Sequence, residues 1–298
     1  MYHVPIMPER IVQELGVHKG GLYLDATLGG GGHTGYILKA GGSVVAIDRD
    51  DDALEYCKAH LTGDVTYIKG KYENAVELLK GAGIAELDGA LLDLGVSSHQ
   101  LDDPSRGFSY MHDGALDMRM DRTQGLTAYD VVNGYGVAEL CDILRKYGEE
   151  SFAKKIANAI DRARSVKPIQ TTIELADIIA KSVPYRKNGH PAKKSFQAIR
   201  IEVNGELKGL YDALCGIFGL IKSGGRMAVL SFHSLEDRIV KAAFNEFATD
   251  CICPKRLPVC VCNHRAIGRT VLREKPSEQE QQQNSRSTSA TLRVSEKL

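Results

Sequence analysis

The stretch of this chain best suited to holding a ligand begins Asp25-Ala26-Thr27-Leu28 and continues through Gly29-Gly30-Gly31-Gly32-His33-Thr34-Gly35. An apolar alternation at Leu22 and Leu24 precedes it, and a helical pattern at Tyr36, Ile37 and Leu38 follows. The order is strand, glycine turn, helix. Glycines permit positive φ and let backbone amides approach a bound group at the helix N-terminus. The next strand, Val44-Val45-Ala46-Ile47, ends at Asp48. An acid about 20 residues after the glycines suits a ribose diol. The spacing Gly30-x-Gly32-x-x-Gly35 fits the dinucleotide fingerprint, so NAD and S-adenosylmethionine (SAM) both match. SAM has no pyrophosphate to set on the helix. Its amino group favours a nearby carboxylate such as Asp25, which tilts the reading toward SAM.

Two further clusters carry chemistry. Gly89-Ala90-Leu91-Leu92 reads as a buried parallel strand ending at Asp93. His233 follows another strand end, where it suits either proton transfer or a bond to nearby backbone. Cys251, Cys253, Cys260 and Cys262 lie in a basic, proline-containing loop. Their Cys-x-Cys spacing differs from the Cys-x-x-Cys of common zinc knuckles. Reduced loop cysteines are the favoured reading, with no metal, and a soft metal is the alternative.

These residues need a frame of alternating strands and helices. The 298 residues suffice for one large domain or two moderate ones. No run approaches a membrane span and no signal-peptide pattern opens the chain, so a soluble, cytoplasmic protein is expected. Seven cysteines, an odd count, do not read as a disulfide framework. Val65–Ile68 is a short strand, and Ala75, Leu78 and Leu79 lie on a helical stripe. From Asp102 to Arg200 only helices and loops are visible, including an amphipathic helix over Glu149–Ser165 and a capping box at Thr171-x-x-Glu174. A helix over Asn204–Ile221, a Gly224-Gly225 turn and a strand over Arg226–Leu230 follow. Thr270–Arg273 and Ser289–Val294 are the final strands, separated by a polar loop at Glu278–Gln283. The expectation is an α/β fold with a mostly parallel, Rossmann-like sheet, formed by residues 1–102 and 203–298. An all-helical insertion occupies 103–202.

The net charge is +0 but uneven. Residues 151–200 hold eleven Lys or Arg against three Asp or Glu, and residues 251–298 hold nine against four. Two basic surfaces on an otherwise acidic chain point to a polyanion such as RNA.

Several longer strings identify a family. They are Asp93-Leu94-Gly95-Val96-Ser97-Ser98-His99-Gln100-Leu101-Asp102, Arg106-Gly107-Phe108-Ser109-Tyr110 and Asp117-Met118-Arg119-Met120-Asp121. With them stand His190-Pro191-Ala192, Phe196–Asn204, Ser231–Arg238 and the opening His3-Val4-Pro5. From about residue 3 to residue 294 the chain resembles the RsmH (MraW) family. Its members are SAM-dependent methyltransferases acting on the N4 amine of a cytidine in the decoding region of 16S rRNA.

The resemblance implies a class I SAM-dependent methyltransferase sheet, with the helical insertion as substrate-recognition domain. It implies that Gly31, Gly32, His33, Asp48, Tyr72, Asp93 and Gln100 meet the cofactor. The substrate implied is 16S rRNA within an assembled or nearly assembled small subunit, with no membrane partner; the oligomeric state stays open. Ser285, Thr288 and Lys194 stand where many relatives have Pro, Arg and Arg. Asp93 suits the cofactor, the target amine or both, and His233 is the second catalytic candidate. Phe108 and Tyr110 suit stacking on an extruded base or a core role. Arg106, Arg119, Lys193, Lys194 and Arg200 are candidates for phosphate contacts, with an ion-pair strut the alternative for Arg119. Competing functions are an NAD-dependent oxidoreductase and a non-catalytic RNA-binding factor.

Overall fold

The computed structural model describes residues 5–184, 189–254, 257, 259–262 and 264–298; His3 and Val4 lie outside the described residues. Seven strands form one sheet: β1 (Leu22–Asp25), β2 (Ser43–Asp48), β3 (Val65–Lys69), β4 (Leu87–Asp93), β5 (Ile221–Ser231), β6 (Gly268–Glu274) and β7 (Thr291–Lys297). Their order is β3-β2-β1-β4-β5-β7-β6. The first five run parallel, while β7 is antiparallel to both β5 and β6. The helices are α1 (Pro8–Leu15), α2 (Gly32–Lys39), α3 (Asp51–His60), α4 (Ala75–Gly81), α5 (Ser98–Asp102), α6 (Ala128–Gly134) and α7 (Val137–Gly148). They continue as α8 (Ala153–Arg164), α9 (Thr172–Ser182), α10 (Lys193–Asn204), α11 (Leu210–Leu220), α12 (Ser234–Phe247) and α13 (Glu278–Gln283).

The chain divides into two compact units, Met1–Gly95 with Lys208–Leu298, and Val96–Leu207. The first holds the sheet. Its strands are apolar on both faces, as parallel strands covered by helices must be. Leu24, Val45, Ile47, Ala90, Leu92 and Val229 pack with residues of α4, α11 and α12. Their alternates Tyr23, Val44, Ala46, Leu91, Ala228 and Leu230 pack with residues of α1, α2 and α3. The period-two alternation thus divides β1, β2, β4 and β5 between two cores.

The second unit is helical, with one isolated bridge between Ala115 and Thr171. The expected insertion 103–202 lies inside it. Its core gathers Val131, Leu140, Leu144, Ile156, Ile160, Leu175, Phe196 and Ile199. On α8, Ile156 and Ile160 face inward while Lys154, Lys155 and Arg162 are exposed, as a 3.6-residue period requires.

The most specific sequence strings meet in this unit. Met118 donates its amide to Arg106 O at 3.0 Å, and Arg106 Nη2 donates to Arg119 O and Met120 O, each at 3.1 Å. Asn204 accepts from the Met120 amide at 2.8 Å and donates to Met118 O at 2.7 Å. Met118 itself is buried with φ 58°. A Cβ on Gly114 would lie 1.8 Å from Pro104 O, so the two loop segments cross there only because the residue is glycine.

Three local expectations differ from the structure. The helix expected from Asn204 to Ile221 is the end of α10 and, separately, α11. Gly205 (φ 64°) and Gly209 (φ 79°) both take the left-handed conformation that stops a helix between them. Glu278–Gln283, expected as loop, is α13, started by the Ser277 side chain accepting from the Glu280 amide at 3.2 Å. Gly224-Gly225, expected as a turn, lies within β5, where the register against β4 shifts.

Gly114→Ala is expected to destabilise the helical unit by roughly 3 kcal/mol, because a backbone carbonyl cannot yield as a side chain does. Urea unfolding checks this. A midpoint equal to that of the parent protein would mean that the crossing is slack.

Candidate active site

The first site element is the turn from β1 into α2. Gly31 caps α2 with φ 71°, and a Cβ there would meet Leu61 Cδ1 at 2.7 Å and Cys57 Sγ at 2.8 Å. A side chain is excluded by conformation and by space. Asp25, at the end of β1, is 1% exposed. Its carboxylate accepts from Thr34 Oγ1 at 2.7 Å and from the Thr27 amide at 3.2 Å. Burial pushes its pKa up, against these two bonds. Asp25 therefore clamps both ends of the turn, with one bond to each carboxylate oxygen.

Asp48 closes β2 beside this turn. One oxygen accepts from the Gly29 amide at 2.7 Å, the other from the Asp50 amide at 2.9 Å. A carboxylate offers about four lone-pair sites, so room remains for two more donors. Burial pushes the pKa up to about 6, and the Asp50 charge adds to that, against the two backbone bonds. Tyr72 sits, buried, in a short turn after β3.

The third strand end is β4. The Asp93 amide donates to Thr27 Oγ1 at 2.6 Å, which ties β4 to the glycine turn. Its carboxylate Oδ2 lies 3.4 Å from His33 Nδ1. His33 Nε2 is 2.9 Å from Ile6 O. A carbonyl can only accept, so Nε2 carries a proton and Nδ1 is the nitrogen turned to Asp93. The buried imidazole is held by the Ile6 carbonyl and lies against the Asp93 carboxylate, to which Nδ1 donates only when the ring is doubly protonated. Thr27, Thr34 and the Ile6 carbonyl were not anticipated. Thr27 stood two residues after Asp25, which is Asx-turn spacing; Ile6 carried no local signal.

The remaining candidates fall elsewhere. His233 caps α12: its Nδ1 accepts from the Glu236 amide at 3.4 Å and its Nε2 faces Glu236 Oε1 at 3.1 Å. Nδ1 is thus engaged in capping its own helix, the plainer of its two readings, while the buried Nε2 makes no hydrogen bond among the described residues. Gln100, in the helical unit, closes a capping box with Ser97 at the start of α5. Arg106 is 1% exposed and braces the crossing described above, so the expected phosphate contact is withdrawn. Arg119 makes a bidentate pair with Asp117, both bonds 2.8 Å, and donates to Arg122 O and Gln124 O. It is the strut, not the phosphate ligand. Arg200 is likewise paired with the buried Glu206 at 2.7 and 2.8 Å. Phe108 is a core residue, out of reach of an extruded base. Tyr110 stacks on His190 at 4.7 Å and meets Phe196 edge-on. Lys193 and Lys194 are exposed at the start of α10, with Lys194 Nζ donating to Glu149 O at 2.9 Å.

The crevice over the carboxyl ends of β1 and β4 is the switch point of the sheet, where strand order reverses. The order 3-2-1-4-5-7-6 with one reversed strand is the class I methyltransferase arrangement. The fold and this crevice therefore define a methyltransferase of that class. The model of the MraW methylase family matches residues 1–298, and the chain belongs to that family. It is 47% identical over 309 residues to "Ribosomal RNA small subunit methyltransferase H" of Geobacter sp. (strain M21), covering 100% of this chain and 99% of that one. The protein of the same name from Caldicellulosiruptor saccharolyticus is 49% identical over 305 residues, covering 99% of each. Among solved structures, an rRNA methylase from Streptococcus thermophilus aligns at TM-score 0.42 and 13% identity, over 98% of this chain and 93% of that one. Family membership sets aside the dinucleotide reading of the glycine spacing. The cofactor is SAM, and the residues present fit it: Asp48 keeps acceptor capacity for a diol, and the turn presents no side chain at Gly31.

Asp48 sets a pH dependence. Ribose hydroxyls donate more strongly, and in pairs, to the ionised carboxylate, so SAM binding lowers its pKa. Affinity is then full above about 6, the value in the free protein, and falls by up to about tenfold per pH unit below it. Calorimetric titration from pH 7.5 to 5 is the check, with Asp48→Asn as control, expected to bind weakly and without that dependence. A parent affinity flat across the range would remove Asp48 from the ligand.

Proposed function

We propose that this protein transfers the SAM methyl group to the N4 amine of a cytidine in the decoding region of 16S rRNA. The reading rests on one observation above others. Relatives named as small-subunit rRNA methyltransferases match this chain over its whole length. The substrate follows as 16S rRNA in an assembled or nearly assembled small subunit, in the cytoplasm.

Bound SAM supplies an activated sulfonium methyl. The nucleophile is the weak partner, because the cytosine amine lone pair conjugates with the ring. Little acid–base chemistry is needed; orientation is. Asp93 is the residue for that task. Its carboxylate stands at the end of β4, and it accepts a hydrogen bond from the amine so that the lone pair turns toward the methyl. His33 acts through Asp93 as a positioning residue, since its other nitrogen is committed to Ile6 O. The cofactor is held by the glycine turn, Asp48 and Tyr72.

The helical unit is the RNA-recognition module in this reading. Its basic charge divides into two groups. Arg106, Arg119 and Arg200 are consumed internally. Lys154, Lys155, Arg162 and Lys193 are exposed and are the phosphate ligands.

Mass spectrometry of 16S rRNA nucleosides from cells with and without this protein tests the reaction. Loss of N4-methylcytidine at one decoding-region position is expected in its absence. An unchanged nucleoside profile would refute the assignment. Replacing Lys154 and Lys155 by Glu is expected to weaken RNA binding and flatten its salt dependence, by ~0.7–0.9 log units for each phosphate no longer neutralised. SAM affinity should not change. An unaltered salt slope would make that face merely solvated.

A further inference from the structure

The four cysteines of the α12–β6 connection have no part in the methyl-transfer site. About twenty residues join α12 to β6, longer than ordinary connections inside a compact domain. The neck is closed by hydrogen bonds from the Ile267 amide to Phe247 O at 2.9 Å and from the Ala266 amide to Asp250 Oδ1 at 3.2 Å. Above the neck the described residues form little apolar core. Ile252, Val259 and Val261 are 64%, 70% and 71% exposed. A segment of this kind needs another source of order, and small units lacking a core commonly use a staple.

The thiols converge as such a staple requires. Cys251 and Cys253 are two residues apart, as are Cys260 and Cys262, so the four thiols come as two close pairs. The four sulfurs all lie within 4.8 Å of one another. Cys260 Sγ is 3.5 Å from Cys251 Sγ, 4.0 Å from Cys253 Sγ and 3.5 Å from Cys262 Sγ. Cys251 and Cys262 are 3.8 Å apart. Four thiolates at about 2.3 Å from one zinc ion, arranged tetrahedrally, stand about 3.8 Å from each other. Disulfide sulfurs would be about 2.05 Å apart. The Val261 amide also donates to Cys253 Sγ at 3.3 Å, the kind of outer bond that steadies a metal-bound thiolate. The spacing alone favoured plain reduced cysteines. The convergence of all four sulfurs reverses that preference.

We infer that Cys251, Cys253, Cys260 and Cys262 bind one zinc ion in a closed tetrahedral site that orders the α12–β6 connection. Each thiol gives up its proton to solvent on binding, and no electron is exchanged. The site is structural. Four thiolates leave no open position for a substrate or water. It also stands at the wrong edge of the sheet for catalysis. Asp25, Asp48 and Asp93 are at the carboxyl ends of β1, β2 and β4, whereas this connection precedes β6, whose first residue, Gly268, pairs with Lys297. Glu296, next to Lys297, pairs in turn with Arg226, at the end of β5 remote from Ser231.

The test is metal analysis of the full-length protein, purified without chelator from zinc-supplemented cells. One zinc per chain is expected, released in step with titration of four thiols by a mercurial reagent. Cobalt exchanged into the site should give the intense visible bands of tetrahedral thiolate coordination. Both readouts use the unaltered sequence, so they do not depend on a variant that folds. Cys253→Ser with Cys262→Ser should hold less than ~0.1 equivalent of zinc and keep its SAM affinity. Cys215→Ser, on α11, should keep the metal. Iron in place of zinc, disulfides among the four, or a folded protein with four freely reactive thiols and no metal would each overturn the assignment.

Discussion

The bond from the Gly29 amide to the Asp48 carboxylate joins the ends of two neighbouring strands across the glycine turn. Much of the catalytic half of the molecule depends on it. The turn can follow its path because Gly31 carries no side chain, and it stays there because Asp25 clamps Thr34 and Thr27. Thr27 then receives the Asp93 amide, which brings the end of β4 into the same assembly. Three acids at three strand ends are thus linked through one loop. Their roles differ by burial and by partners. Asp25 is enclosed by the loop it clamps, Asp48 is half-buried with acceptor capacity to spare, and Asp93 lies against an imidazole.

Such a site is readily kept in one geometry. Backbone amides and short hydroxyl side chains lose little conformational entropy when fixed, and they leave the carboxylates where a cofactor arrives. His33 extends the arrangement. Its two nitrogens face different partners, Ile6 O and Asp93, so the N-terminal segment and the end of β4 meet on one ring.

The helical unit uses its signature residues for a different purpose. Strings such as Asp117-Met118-Arg119-Met120 look functional because no ordinary helix or strand needs them. Their use is internal. Arg106, Asn204 and the left-handed Met118 form a polar crossing whose backbone groups have no helix or sheet to pair with. A buried guanidinium that satisfies two carbonyls at once takes the place of missing secondary structure. The basic side chains left exposed on this unit include Lys154, Lys155 and Arg162 of α8 and Lys193 of α10.

The sequence by itself determined the strand–turn–helix order around the glycines, the acids closing β2 and β4, the helical character of the middle segment, and the family. All of these are local or pattern-level properties. Period-two alternation, glycine runs and caps act over a few residues, so they are readable without contacts. Only the tertiary structure decided which arginines were surface charges and which were struts: Arg106 reaches carbonyls 13 and 14 residues on, and even Arg119 and Arg200, whose acids stand 2 and 6 residues away, take those partners only because the fold turns the side chains together. The same holds for the direction in which His33 faces, for the clamp of Asp25 on its own loop, and for Gly205 and Gly209 dividing one apparent helix from the next. It holds most plainly for the four cysteines. Spacing states which thiols are near in sequence, but a tetrahedron of sulfurs exists only once the two pairs fold against each other.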